Sequence, residues 1–295
     1  MPETTRDPIF ESPTLRVYRT PAKERKHDRV VFTFHGWNKD PKFADWGFGE
    51  GYFADRGVDA IHFLSAANNW YQHREMPAAV EAATAFAKPY AARSCYGSSM
   101  GGYAAMLFSS WLEADVVAAF SPQFSIRREI VPGERRWLQE SIDTEFLYDD
   151  MAAMASRTAR MLLVYDPTDE DDLPHVMLMR PAIARLEEFI VPMIGHEVLR
   201  FLHEIGLLAS FIEQSVCGTL DAGAFRKAIR DARRSSSIYL SGAAVVAAQH
   251  CWLDTATELL ALYEALPTKR PETVARAAWA GGIIKNKRAI RTRGP

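Results

Sequence analysis

Cysteine is scarce in this chain. Three residues, Cys95, Cys217 and Cys251, are scattered over 295 positions. That number and spacing exclude a disulfide framework and a zinc site built on paired thiolates, and they fit a reducing compartment. Cys95 lies in an apolar run and reads as a small buried residue. Long hydrophobic runs are missing too. The longest apolar windows, such as 242–248, fall well short of a membrane span. Residues 1–10 hold Glu3, Arg6, Asp7 and two prolines but no apolar stretch of the kind a secretory signal needs, so a soluble cytoplasmic protein is expected. A dominant charge is also absent. Lys and Arg number 35 against 37 Asp and Glu, and the formal net charge of −2 offers nothing to nucleic acid or to an anionic membrane.

What is present is an ordinary globular balance, 48% hydrophobic and 24% charged. Short runs rich in β-branched and aromatic residues recur at 30–34, 60–64, 92–96, 116–120, 161–165 and 188–191. Stretches with helical spacing lie between them, at 41–56, 75–90, 100–113 and 174–186. The alternation predicts βαβ units with right-handed crossovers: an α/β fold whose mostly parallel central sheet is flanked by helices. Residues 14–19 alternate apolar with polar, as an edge strand does.

The rhythm breaks twice. Segment 122–156 is too long for an ordinary connection and is expected to form a small cap over the carboxyl edge of the sheet. Beyond residue 216 there is no strand signal. Helices are expected at 222–234, 239–250, 253–266 and 271–284, with the last ten residues basic and frayed. No second copy of this helical segment exists to make a repeat array. The expected domains are therefore a catalytic body, 1–215, and a helical C-terminal extension, 216–295, packed on the body, a second copy or a protein partner.

The chemistry centres on Gly97-Ser98-Ser99-Met100-Gly101. A bare Gly-x-Ser-x-Gly is a weak signal, but here a strand candidate precedes it and a helix candidate follows, as a nucleophile elbow requires. The serine must sit on a sharp turn, so the positions two before and two after it must lack side chains. Ser99 meets that spacing and Ser98 does not. The helix start aims N–H groups at the reacting centre, making the Met100 N–H one oxyanion donor. The loop after strand 30–34, His35-Gly36-Trp37, is placed to give a second, the Trp37 N–H.

Serine needs a base. His196 follows strand 188–191 in a loop loosened by Gly195, and is preferred to His175, which opens a helix candidate, and to His203, which lies inside the helix candidate 197–215. The acid belongs between nucleophile and base, where Asp166-Pro167-Thr168-Asp169-Glu170-Asp171-Asp172 follows strand 161–165. Asp169 is preferred to Asp166, since it stands far enough past the strand to turn toward the base, with Asp171 third. The acidic run lacks the spacing of a calcium loop, and neither a metal nor a cofactor is expected.

With these residues in place the sequence resembles the α/β-hydrolase superfamily over about residues 28–215. The resemblance implies a serine esterase in which Ser99, Asp169 and His196 form the triad and the backbones of Met100 and Trp37 the oxyanion hole. A His-Gly-Gly-Gly oxyanion loop is absent, and Ser at the elbow disfavours dehalogenase or dienelactone-hydrolase chemistry. Asn68-Asn69-Trp70-Tyr71 and Phe120-Ser121-Pro122-Gln123 also resemble a bacterial subgroup associated with surface polysaccharides and secretion accessories.

The substrate expected is a small-molecule or glycan ester, with O-acetyl groups on a glycan as one class. His35, Asn68, Trp70 and Tyr71 are candidate substrate contacts, because ligands bind at the carboxyl edge of open α/β sheets. Arg127, Arg128, Arg135 and Arg136 in the cap read as a solvated helix face rather than an anion site. Two other readings stand beside hydrolysis: acyl transfer by the same triad, and an interaction protein that works through the helical extension.

Overall fold

A computed structural model of the chain describes residues 6–293. Residues 1–5, at the head of the segment read for a secretory signal, and 294–295, at the end of the basic tail, lie outside the described residues.

Eight strands form one sheet: β1 (Asp7–Glu11), β2 (Leu15–Thr20), β3 (Arg29–Phe34), β4 (Asp59–Ser65), β5 (Ala92–Ser98), β6 (Val116–Phe120), β7 (Arg160–Tyr165) and β8 (Leu186–Ile190). Their order is β1-β2-β4-β3-β5-β6-β7-β8. β3 pairs in parallel with β4 and β5, and β6 pairs in parallel with β5 and β7. Burial on both faces explains why these strands read as continuous apolar runs: every residue of β6 is buried, as is β3 from Val30 to Phe34. β2 is antiparallel to β4, with β1 outside it. The edge strand expected at 14–19 is thus one place in from the edge. β1 escaped notice because its five residues are polar at both ends and include Pro8.

The helices are α1 (Glu50–Arg56), α2 (Met76–Ala87), α3 (Met100–Leu107), α4 (Leu138–Asp143), α5 (Met151–Met154), α6 (Leu173–Ala182), α7 (Val198–Glu204), α8 (Leu208–Cys217), α9 (Ala222–Ala232), α10 (Ser237–Gln249), α11 (Leu253–Glu264) and α12 (Pro271–Arg293). Three expectations need correction. The helix expected at 41–56 keeps only its last two turns, because Gly49 enters α1 in the left-handed region at φ 73°. The one expected at 197–215 is two helices, broken where Gly206 takes φ 73°. α12 runs on to Arg293, past the expected end at 284.

The chain forms two compact units. The first holds the residues up to Val164, Asp171–Phe189 and Ile212–Leu220; the second holds Tyr165–Glu170, Ile190–Phe211 and the chain from Asp221 on. Unlike the expected 1–215 and 216–295, these units do not follow chain order. The loops after β7 and β8 cluster with the C-terminal helices because the turn at Met193 lies against α10. Among the described residues no helix is long and apolar enough to cross a membrane.

Candidate active site

In the first unit, Ser99 stands between β5 and α3 with φ 55° and ψ −124°, a strained conformation for a residue with a side chain. The elbow closes only because its flanks are bare. A Cβ on Gly97 would lie 2.2 Å from the Gly101 carbonyl oxygen, and one on Gly101 would lie 2.2 Å from that of Phe34. The second contact presses the start of α3 against the end of β3. It places the Met100 N–H, which has no acceptor within its helix, near the loop His35-Gly36-Trp37.

Of the candidate substrate contacts, His35 and Asn68 are half-buried and line a small pocket with Gly36 and Met100. Asn68 clamps the loop after β3: its Oδ1 accepts the Asn38 N–H at 3.0 Å and its Nδ2 donates to the Asn38 carbonyl at 2.6 Å. Nε2 of His35 meets the Trp46 carbonyl at 2.7 Å. Burial lowers the His35 pKa, with the Trp46 carbonyl opposing it. Trp70 and Tyr71 are fully buried, so neither walls an open pocket. The Tyr71 hydroxyl donates to the carbonyls of His35 and Phe63. Trp37 remains open, 39% exposed, with its Nε1 donating to Glu140 and its ring 5.6 Å from Trp137.

One residue at the nucleophile had no role assigned from sequence. Gln123, fully buried beyond the end of β6, donates from Nε2 to Ser99 Oγ at 3.3 Å. Its Oε1 accepts the Trp70 indole N–H at 3.2 Å. The two motifs that carry the subgroup resemblance therefore meet at Gln123, which in turn reaches Ser99.

His175, a rival base, is buried inside the first unit. Its Nδ1 accepts the Phe124 N–H at 3.1 Å, so Nε2 carries the proton and gives it to Glu134 at 2.8 Å. Arg136 also donates to Glu134, and to Asp172 at 2.7 Å. Burial pushes the Glu134 pKa up, but the bonds from His175 and Arg136 outweigh it and hold the carboxyl well below its ordinary value. Arg136 thus belongs to a buried network and not to a solvated helix face. A second network joins α3 to segment 122–156: Tyr103 and Ser125 both donate to Asp149, whose pKa burial raises.

The second unit holds the other two predicted residues. His196 sits in the turn just before α7. Asp166 is committed to holding that turn. It accepts from the Thr168 N–H and hydroxyl through Oδ1, and from the Ile194 and Gly195 N–H groups through Oδ2, both at 2.6 Å. Asp169 lies beside Gly195: the point a Cβ there would occupy is 3.4 Å from Asp169 Oδ2 and 3.3 Å from Arg276 Nη2. Arg276 of α12 also donates to the Ile194 carbonyl at 3.4 Å. The structure therefore groups Ser99, Met100, Gln123 and the His35-Trp37 loop in one unit, and Asp166, Asp169 and His196 in the other. His203, the remaining rival, is exposed in the last turn of α7.

No protein-family model matches the chain, and no curated protein does. Solved structures do. The chain is similar to Thermogutta terrifontis esterase 2 phosphonylated by sarin, with a TM-score of 0.52 and 15% identity, over 75% of this chain and 97% of that one. It is also similar to the capsule O-acetyltransferase of Neisseria meningitidis serogroup A, with a TM-score of 0.50 and 14% identity, over 70% of this chain and 93% of that one. An eight-stranded, mostly parallel sheet flanked by helices, a strained serine at the turn from β5 into α3 and these likenesses together show that the chain has the α/β-hydrolase fold.

Proposed function

We propose that the protein is a serine hydrolase that cleaves a carboxylic ester through an acyl-enzyme. The observation that carries this reading is the backbone of Ser99, held at φ 55° on a turn that only two flanking glycines permit. Strain of that kind in a non-glycine residue is kept where a reactive group must be presented.

In the proposed reaction His196 removes the Ser99 hydroxyl proton as Oγ bonds to the ester carbonyl carbon. The carbonyl π pair moves onto its oxygen, which the N–H groups of Met100 and Trp37 receive. Collapse breaks the bond to the alcohol oxygen, which leaves with the proton from His196. Water repeats the sequence, giving a proton to His196 and releasing the acid. Asp169 orients the His196 ring and stabilises the imidazolium. Asp166 serves the turn and not the proton.

O-acyl groups on a glycan are the substrate class we propose. Trp37, exposed beside the donor loop and backed by Trp137, offers an apolar face for a sugar ring. The two similar structures are an esterase and an O-acetyltransferase, so this fold carries acyl groups to water and to other acceptors alike. Hydrolysis is tested with p-nitrophenyl acetate and butyrate. Wild-type turnover that Ser99→Ala abolishes is the expected result; full turnover by Ser99→Ala overturns the assignment. Acylated product formed from an added sugar acceptor would favour transfer.

A further inference from the structure

Three residues form a chain at the nucleophile: Trp70 Nε1 to Gln123 Oε1 at 3.2 Å, and Gln123 Nε2 to Ser99 Oγ at 3.3 Å. We propose that Gln123 is a catalytic hydrogen-bond donor to Ser99 Oγ, and that Trp70 is the positioning residue that fixes which way its amide faces.

The direction of the chain follows from donor chemistry. An indole N–H can only donate, so it selects the oxygen of the Gln123 amide. The NH2 group, which cannot accept, is then the end that faces Ser99. A donor there engages a lone pair of Oγ and leaves the hydroxyl proton free to go to a base. It also meets negative charge at the moments Oγ carries it, on entering as nucleophile and on leaving when the acyl-enzyme breaks down. In a buried, low-dielectric position such a contact acts more strongly than in water.

The protein spends backbone strain to hold this arrangement. Trp70 and Tyr71 take φ 51° and 58°, Ser121 takes φ 42°, and Ser99 takes φ 55°. Each member of the Trp70-Gln123-Ser99 chain is at, or two residues from, a left-handed non-glycine residue. Supports close in from both sides. The Phe124 N–H donates to buried His175, which fixes the backbone next to Gln123. A Cβ on Gly102 of α3 would lie 3.1 Å from Pro122 Cβ, so the loop lies directly on the helix that begins at the nucleophile. Trp70 also packs 5.3 Å from Trp137. Packing alone asks for none of this polarity, since a buried amide that fails to find partners is costly.

This inference rests on Ser99 being the nucleophile. The test measures the rate of Ser99 labelling by a fluorophosphonate probe in wild type, Gln123→Met, Gln123→Glu, Trp70→Phe and Ser99→Ala. Melting temperature is followed in parallel. Met keeps the length of Gln without its donor, and Glu replaces the donor by negative charge. At least tenfold slower labelling is expected for Gln123→Met, a larger loss for Gln123→Glu and a smaller one for Trp70→Phe. If wild type labels at Ser99 and both Gln123 variants label within twofold of it, the role of Gln123 is refuted and the nucleophile stands. If Ser99→Ala still labels, the nucleophile assignment falls and the inference with it. Should a Gln123 variant fail to fold, Trp70→Phe decides by the same rate, and a wild-type rate there refutes the positioning role.

Discussion

The carboxylate of Asp166 accepts the N–H of Gly195 at 2.6 Å, one residue before His196. The same oxygen accepts the Ile194 N–H, and the other oxygen holds Thr168. A residue so engaged has a structural task, and the proposed mechanism gives the orienting of His196 to Asp169 instead.

The two aspartates should therefore fail in different ways. Asp166→Asn turns a buried double acceptor partly into a donor facing two N–H groups, and should lower stability by about 1–3 kcal/mol. Asp169→Asn should fold with a melting temperature close to wild type and lose kcat by roughly 10²–10⁴-fold. Thermal melts and p-nitrophenyl ester kinetics on both variants check this. A stable Asp166→Asn with collapsed kcat would exchange their roles.

Asn68 grips both the N–H and the carbonyl of Asn38, next to the proposed donor Trp37. Asn68→Ala should lower kcat about tenfold with little change in KM, below the 10²–10³-fold cost of deleting an oxyanion donor outright. Ser99 should still label. An unchanged kcat would separate the clamp from the chemistry.

Gly242 gives a test in which two effects have opposite signs. Within α10, Gly→Ala ought to stabilise the helix by about 1 kcal/mol on propensity alone. A Cβ at 242, however, would stand 2.1 Å from the Met193 carbonyl oxygen. The clash should win, moving the turn that bears His196. Because misplacement by about 1 Å can cost a reaction 10²-fold, Gly242→Ala should lose far more activity than stability. A more stable and fully active variant would contradict the contact.

Stability should fall in mild acid. Burial lowers the His62 pKa to about 3, with Glu50 opposing and His35 and Arg6 reinforcing the shift. The ring stays neutral in the fold but takes a proton once unfolded below about pH 6.5, so the unfolded chain binds more protons in that window. Each pH unit between about 6.5 and about 3 then removes at most about 1.4 kcal/mol. Glu134, held low in the fold, adds to the loss once pH drops below about 4.3. Urea unfolding at pH 8, 6.5 and 5 should show this slope, flattened in His62→Gln. A slope that His62→Gln leaves unchanged would assign it to other groups.

The elbow was legible in the sequence because its signal is local: a β-branched strand, two glycines at fixed offsets and a helix. The parallel strands were legible because burial on both faces writes continuous apolar runs. Gln123 was not, since it reaches Ser99 from the far end of β6, and nothing near it in the chain marks a long-range partner. The Phe120-Ser121-Pro122-Gln123 motif stood out, but only the contact with Trp70 gives it a task. Trp70 and Tyr71 were placed at the right edge of the sheet, yet they are buried in the protein, while Asn68 lines a small pocket with His35 and Met100. Arg136 looked like surface charge because Glu134 and Asp172, its partners, lie on two different segments.

The seat that Gly242 provides also imposes a timetable. A growing chain delivers Ser99 and all eight strands well before α10 and α12 exist, and N-terminal parts fold first during synthesis. The turn at Met193 leaves the ribosome with Asp166 to hold its N–H groups but without its seat on α10. On the proposed mechanism a nascent molecule has its serine elbow early and a settled base last, so its first competence as a catalyst would wait on helices to which that mechanism assigns no reacting atom.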